Sequence, residues 1–196
     1  MYPYLRNQPT KGPDWDQEVV RGPRNPRFEY SPFDHKVLRF ALGILRFPNL
    51  ILEIGVTRTR AQMPSTDTLL SSRPHGCAHV GVDIVDNYIE LDRADTYFHH
   101  GSSEEHDEVL EFIFASVGHT TIDFLHIDGC HSPRMAFNDW EYTAHVPPGG
   151  VIVIHDTAVH NGPTQLVNLI DRSRVQVFKF GEDRADDWGI TVCQKL

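Results

Sequence analysis

Ile122-Asp-Phe-Leu-His-Ile-Asp128-Gly-Cys-His131, then a helical stretch, then Pro147-Pro-Gly-Gly-Val-Ile-Val-Ile-His155-Asp156-Thr157: this segment decides the fold. Its two apolar runs, 122–127 and 151–154, are each bounded by a turn signal, and each runs into an acid, Asp128 and Asp156. Short apolar runs joined by one helix describe a parallel βαβ unit buried on both faces. In open α/β sheets a ligand sits outside the carboxyl ends of the strands, where the strand order switches. Asp128, His131, His155 and Asp156 therefore fall on one rim of one sheet.

Working outward, the helix between the runs spans about 132–145, with Ser132 as cap and Pro133 in the first turn, where a missing N–H is harmless. Upstream, Leu50-Ile-Leu-Glu53-Ile-Gly55 reads as the first buried strand, and a helix is expected across 59–72 with Pro64 inside it. A second strand, 79–84, contains Asp83, and a third short one lies near Phe98-His-His-Gly-Ser102. Helical spacing recurs over 33–45 after Ser31-Pro32, and again over 104–117. Downstream, Asn161-Gly-Pro163 reads as a breaker and Thr164 as the cap of a helix to Ile170. Strands over 175–180 and 188–193 are joined by an acidic loop, and so short a connection pairs them antiparallel. The order predicts a doubly wound, Rossmann-like α/β domain with a seven-stranded sheet, mostly parallel and closed by an antiparallel C-terminal hairpin. It spans 33–196; residues 1–32, rich in Pro, Arg, Asn and Asp, read as an irregular arm over the surface or the site entrance, or as a frayed tail.

The 196-residue chain is long enough for one domain with a real core. A formal net charge of −9 speaks against nucleic acid as a main partner, because phosphate binding wants clustered Lys and Arg. No apolar run approaches the ~20 residues of a membrane helix, and the N-terminus has no signal-peptide core. Three widely spaced cysteines without a CxxC pair fit a reducing cytoplasm. Of these Cys130 reads as a small buried residue, and Asp183, Asp186 and Asp187 read as a solvated loop. Most of the twelve histidines are expected to be surface or satisfied groups, His126 among the latter.

From about Phe33 onward the chain resembles the class I S-adenosylmethionine-dependent methyltransferases, in the branch that groups cephalosporin hydroxylase with macrolide-sugar O-methyltransferases. The resemblance rests on Leu52-Glu-Ile-Gly55, Val82-Asp83, Leu125-His-Ile-Asp128-Gly-Cys-His131-Ser132, Asp139-Trp140, Pro148-Gly-Gly150 and His155-Asp-Thr157. It implies S-adenosylmethionine as cofactor, cradled by Glu53, Gly55, Thr57, Asp83, Ser102 and Asp128. Gly55 would let the backbone approach the methionine carboxylate at a helix N-terminus. Glu53 would reach the amino end, Asp83 the ribose diol, and Ser102 would lie near the adenine. The turn Gly55-Val-Thr-Arg-Thr59 departs from the family by carrying threonines where glycines are expected.

Asp128 and Asp156, as hard oxygen donors on one rim, suit Mg²⁺ or a related divalent cation, and His155 as a further ligand would shift the site toward softer metals. The competing reading is that both acids only cap the helices that follow. His131 reads as the general base for a substrate hydroxyl, ahead of a cap or a metal ligand. Together these imply a cytoplasmic, metal-assisted O-methyltransferase acting on a hydroxyl of a small molecule, a sugar or natural product. Two alternatives on the same fold stay open: a metal-dependent enzyme that no longer uses S-adenosylmethionine as methyl donor, and a non-catalytic binding protein. Whether the chain forms a homo-oligomer is open too.

Overall fold

In the computed structural model, residues 2–20, 30–56, 64–86, 94–184 and 186–196 are described. One sheet of seven strands organises them: β1 (Leu50–Ile54), β2 (Ala78–Asp83), β3 (Thr96–His100), β4 (Phe124–Ile127), β5 (Val151–His155), β6 (Val175–Phe180) and β7 (Ile190–Lys195). Their order across the sheet is β3-β2-β1-β4-β5-β7-β6. The pairs from β3 through β5 are parallel, whereas β7 runs antiparallel to both β5 and β6. The order reverses between β1 and β4, so the crevice for a ligand opens at their carboxyl ends. Strand number, direction and closing hairpin are those the sequence predicts.

Strand alternation sorts the core into two layers. Leu50, Leu52, Ile54, Leu125, Ile127, Ile152 and Ile154 face α3 (His106–Val117), α4 (Pro133–Trp140) and α5 (Asn161–Leu169). Ile51, Phe124, Val151, Val153 and Val192 face α1 (Pro32–Gly43) and α2 (Ser65–Ser72). All five residues of β1 are buried, as are all four of β4 and all five of β5. This is why these strands read as continuous apolar runs rather than alternating ones.

The element ends show where local chemistry decided. Ser31 starts α1 through a capping box in which its Oγ accepts from the Asp34 N–H, and the Asp34 carboxylate accepts from the Ser31 N–H at 2.8 Å. Ser132 caps α4 by accepting from the Met135 N–H, with Pro133 at the first position as expected. That helix then tightens into a 3-10 turn, Glu141–His145. Several boundaries differ from the sequence reading, β7 running over 190–195 rather than 188–193 among them. The second helix starts only after Pro64, and α5 starts at Asn161, three residues before Thr164. Pro163 lies in its first turn, where no intrahelical N–H is lost.

Residues 2–20 lie across the α4–α5 side of the domain. Trp15 is buried and stacks on Phe137, with ring centroids 5.5 Å apart and planes at 14°. The Trp140 indole N–H donates to the Pro3 carbonyl at 2.6 Å, and the Arg134 N–H donates to the Trp15 carbonyl at 2.9 Å. Backbone bridges join Leu5 to Ile170 and Val20 to His160. Among the described residues no helix is long and apolar enough to cross a membrane.

Candidate active site

The strand ends gather the rim. β4 ends at Ile127 and delivers Asp128, β5 ends with His155 and delivers Asp156, and the loop after Asp128 carries His131 back over both. His131 Nε2 lies 2.8 Å from Asp156 Oδ2 and 3.6 Å from Asp128 Oδ1. His155 Nδ1 lies 3.3 Å from Asp128 Oδ1 and 3.3 Å from Asp156 Oδ1. Asp156 holds a left-handed φ of 59°, a conformation that asparagine and aspartate tolerate best among non-glycines and that turns its carboxylate into the cluster.

Electrostatics follow from this packing. Burial pushes the His131 pKa down, but the bonds and charges of Asp128 and Asp156 outweigh it and raise it to about 10. His155 behaves alike: burial opposes its charge, yet the two acids hold it well above the ordinary imidazole range. Conversely, burial would raise Asp128 and Asp156, and the neighbouring imidazoles lower both.

Asp128, His155 and Asp156 place one donor atom each within 4.8 Å of one another. Asp156 Oδ1 is buried and, although His155 Nδ1 lies 3.3 Å away, makes no hydrogen bond among the described residues. A buried carboxylate oxygen without a hydrogen bond, beside a second carboxylate and an imidazole nitrogen, fits a divalent cation.

The residues read as cradling S-adenosylmethionine are distributed as follows. Gly55 ends β1 with φ +84°, as the turn requires. Asp83 is nearly enclosed at the end of β2, its carboxylate accepting from the Val56 N–H at 3.0 Å and the Val85 N–H at 2.8 Å. It thus shapes the turn after β1 and still has acceptor capacity for a ribose diol. Ser102 lies beside it, because the Gly101 N–H donates to the Asp83 carbonyl at 3.0 Å. The Ser102 Oγ accepts from the Glu104 N–H. Thr57 lies outside the described residues.

Glu53 departs from its expected role. It is fully enclosed on the α1–α2 side of β1, not presented to a cofactor. The Ser65 hydroxyl donates to its Oε1 at 2.6 Å, His79 Nε2 lies 2.8 Å from its Oε2, and His126 Nδ1 lies 3.4 Å from Oε1. Burial would raise its pKa, but His126 and His79 hold it far below the carboxylate range. The reason is alternation: positions 51 and 53 point to the same layer, and Glu53 directly faces His126 across β1 and β4. His126 is buried as the sequence suggests, but only its Nε2 is hydrogen-bonded, to the Tyr30 hydroxyl; its Nδ1 makes no hydrogen bond among the described residues.

Other expectations fail as well. Cys130 is exposed, because the loop between β4 and α4 turns it outward. Asp187 is buried rather than solvated, accepting from the Ser31 hydroxyl at 3.3 Å and the Gly189 N–H at 3.0 Å.

The residues beneath and beside the rim carry no role in the sequence reading. Tyr30 stacks on His155 with centroids 4.1 Å apart, and its hydroxyl is 2.5 Å from His126 Nε2. Asp34 Oδ2 lies 3.6 Å from His155 Nε2. The Ser-x-x-Asp spacing of the capping box was the only available signal for Asp34. Asp139, quoted above only as part of a motif, is fully enclosed and accepts from the Ser103 hydroxyl at 2.6 Å, tying the end of β3 to α4. Glu18, brought from the arm, accepts from the His131 N–H at 2.7 Å.

Comparison with known proteins agrees with this architecture. Residues 64–157 match a family model described as a methyltransferase domain. MycE methyltransferase from the mycinamycin biosynthetic pathway, solved with Mg, SAH and mycinamycin VI, is 19% identical with a TM-score of 0.59, over 83% of this chain and 49% of that one. The chain thus spans about half the length of MycE. A caffeoyl-CoA O-methyltransferase-like protein from Staphylococcus aureus is 13% identical with a TM-score of 0.62, over 85% of each chain. The fibrillarin pre-rRNA processing protein of Methanococcus jannaschii is 10% identical with a TM-score of 0.61, over 95% of this chain and 86% of that one. No curated protein sequence matches. The fold is the Rossmann-like fold of these methyltransferases, and the methyltransferase-domain model covers residues 64–157 of it.

Proposed function

We propose that the protein is an S-adenosylmethionine-dependent, divalent-cation-assisted O-methyltransferase acting on a hydroxyl of a small molecule, a sugar or natural product. The carrying observation is the convergence of His131 with Asp128 and Asp156 on the rim at the switch point of strand order. MycE, a methyltransferase solved with Mg and SAH, supports the same reading.

When bound, S-adenosylmethionine supplies an electrophilic methyl group, and a cation supplies positive charge beside the developing alkoxide. Asp128, Asp156 and His155 would hold the cation; Gly55, Asp83 and Ser102 would line the cofactor cleft. His131 Nε2 faces the same rim and accepts the hydroxyl proton as the oxygen is methylated. As cation ligands, Asp128 and Asp156 would hold the proton on that imidazole less tightly than they do here. The acidic net charge favours a small acceptor over nucleic acid.

The test is a calorimetric titration with S-adenosylmethionine and S-adenosylhomocysteine, with and without Mg²⁺. Micromolar binding of either is expected; no binding in any condition would sink the reading. A donor-independent enzyme on this fold is favoured by one observation, the complete engagement of Glu53 by Ser65, His79 and His126. It would be supported by metal binding without cofactor binding.

A further inference from the structure

Beside the rim lies a second cluster of metal-ligating side chains, Glu18, His131 and His160, whose donor atoms all fall within 4.8 Å of one another. Two imidazoles and one carboxylate make the donor set of a three-ligand zinc site with one open position. Glu18 Oε1 is 3.9 Å from His131 Nδ1. Ligand atoms of a tetrahedral site with bonds of ~2.0–2.1 Å stand roughly 3.3–3.5 Å apart, so modest rotations would close it. His160 Nδ1 is buried and has no hydrogen-bond partner among the described residues.

The three ligands come from distant parts of the chain, and backbone bonds lock those parts together around the cluster. The arm pairs with the start of α5: Val20 bridges His160, the Val19 N–H donates to Asn161 Oδ1 at 3.0 Å, and the Asn161 N–H donates to the Val19 carbonyl at 3.0 Å. The loop after β4 joins the same helix start, since the Gly162 N–H donates to the His131 carbonyl at 3.1 Å. A Cβ on Gly162 would lie 2.4 Å from that carbonyl, so glycine permits the approach. The His131 and His160 rings lie 4.3 Å apart, and His160 stacks on Trp188. Behind the cluster, His131 Nε2 contacts Asp156 at 2.8 Å. A ligating imidazole whose other nitrogen meets a carboxylate is the usual outer-shell arrangement of zinc histidines.

We propose that Glu18, His131 Nδ1 and His160 form a binding site for a borderline divalent cation of the Zn²⁺ class, separate from the hard-cation site of Asp128, His155 and Asp156. Its occupation fastens the arm to the rim and withdraws His131 from proton transfer. The site stands on the arm's geometry and not on methyl transfer, so its test needs neither cofactor nor acceptor.

The experiment is a calorimetric titration of the full chain with ZnCl₂ at mildly alkaline pH in excess Mg²⁺, on wild type, Glu18→Ala and His160→Ala. One Zn²⁺ per wild-type chain is expected, weakened about tenfold or more in each variant. Glu18 is exposed, so Glu18→Ala tests the site even if His160→Ala fails to fold. Zn²⁺ binding undiminished in Glu18→Ala, or absent from wild type, would overturn the proposal.

Discussion

A Cβ on Gly55 would lie 2.0 Å from the Asp128 carbonyl oxygen, so the ends of β1 and β4 touch through the one residue that has no side chain. Gly55→Ala combines that overlap with the penalty of a left-handed φ, about 1–2 kcal/mol by itself. The variant is expected to lose about 3 kcal/mol or more in urea unfolding and to displace Asp128. An alanine variant as stable as wild type would show that β1 and β4 can part at this point.

His131 owes its charge to its two acids. Asp156→Asn is expected to lower its pKa from about 10 toward the ordinary imidazole range, read from its ring nitrogen shifts by NMR. Because the folded-state pKa is raised, the ion pair stabilises fully below the unfolded value near 6.5 and is lost as pH rises through about 10. Wild type should therefore show a fall in stability across that window which Asp156→Asn lacks. An unchanged His131 titration in the variant would contradict the pairing.

Asp139 works with the opposite sign. Burial, partly offset by the Ser103 and Asn138 bonds, raises its pKa to about 6, so its ionisation opposes folding. Its destabilising contribution is absent below 3.8, grows as pH rises through about 6 and is complete above it, reaching about 3 kcal/mol. Urea unfolding at a series of pH values should show this slope in wild type and lose it in Asp139→Asn. Equal slopes would place the titration elsewhere.

Glu53 accepts from Ser65, is hydrogen-bonded by His79 and pairs in charge with His126, and removing one partner of a buried ionic network typically costs about 3–5 kcal/mol. Glu53→Ala is expected to fall in that range by denaturant unfolding, while Tyr30→Phe, which loses one bond to His126, should cost about 1 kcal/mol. A near-neutral Glu53→Ala would mean that the network tolerates its loss, and would reopen a cofactor role for this acid.

Trp15 anchors the arm. Trp15→Ala removes a stacked ring from the core and should cost about 3–5 kcal/mol. If the arm is what presents Glu18, the same variant should also weaken the Zn²⁺ binding proposed above. Intact Zn²⁺ binding in a folded Trp15→Ala chain would separate the two.

What the sequence determined by itself was the sheet and its rim. Burial on both faces makes β1, β4 and β5 mainly apolar runs, and the polar residues that close such runs mark where a strand leaves the sheet. Asp83, Asp128, His155 and Asp156 were legible for that reason, and the Ser31 and Ser132 caps because capping is a local interaction. Only the tertiary structure decided the rest. Glu53 read as a cofactor contact until its partners on β2, β4 and α2 were in place; Asp187 read as solvated until Ser31 packed on it. Glu18 and Tyr30 come from a stretch with no periodicity and meet His131 and His155 more than a hundred residues away, a pairing made by arm docking that no local pattern encodes.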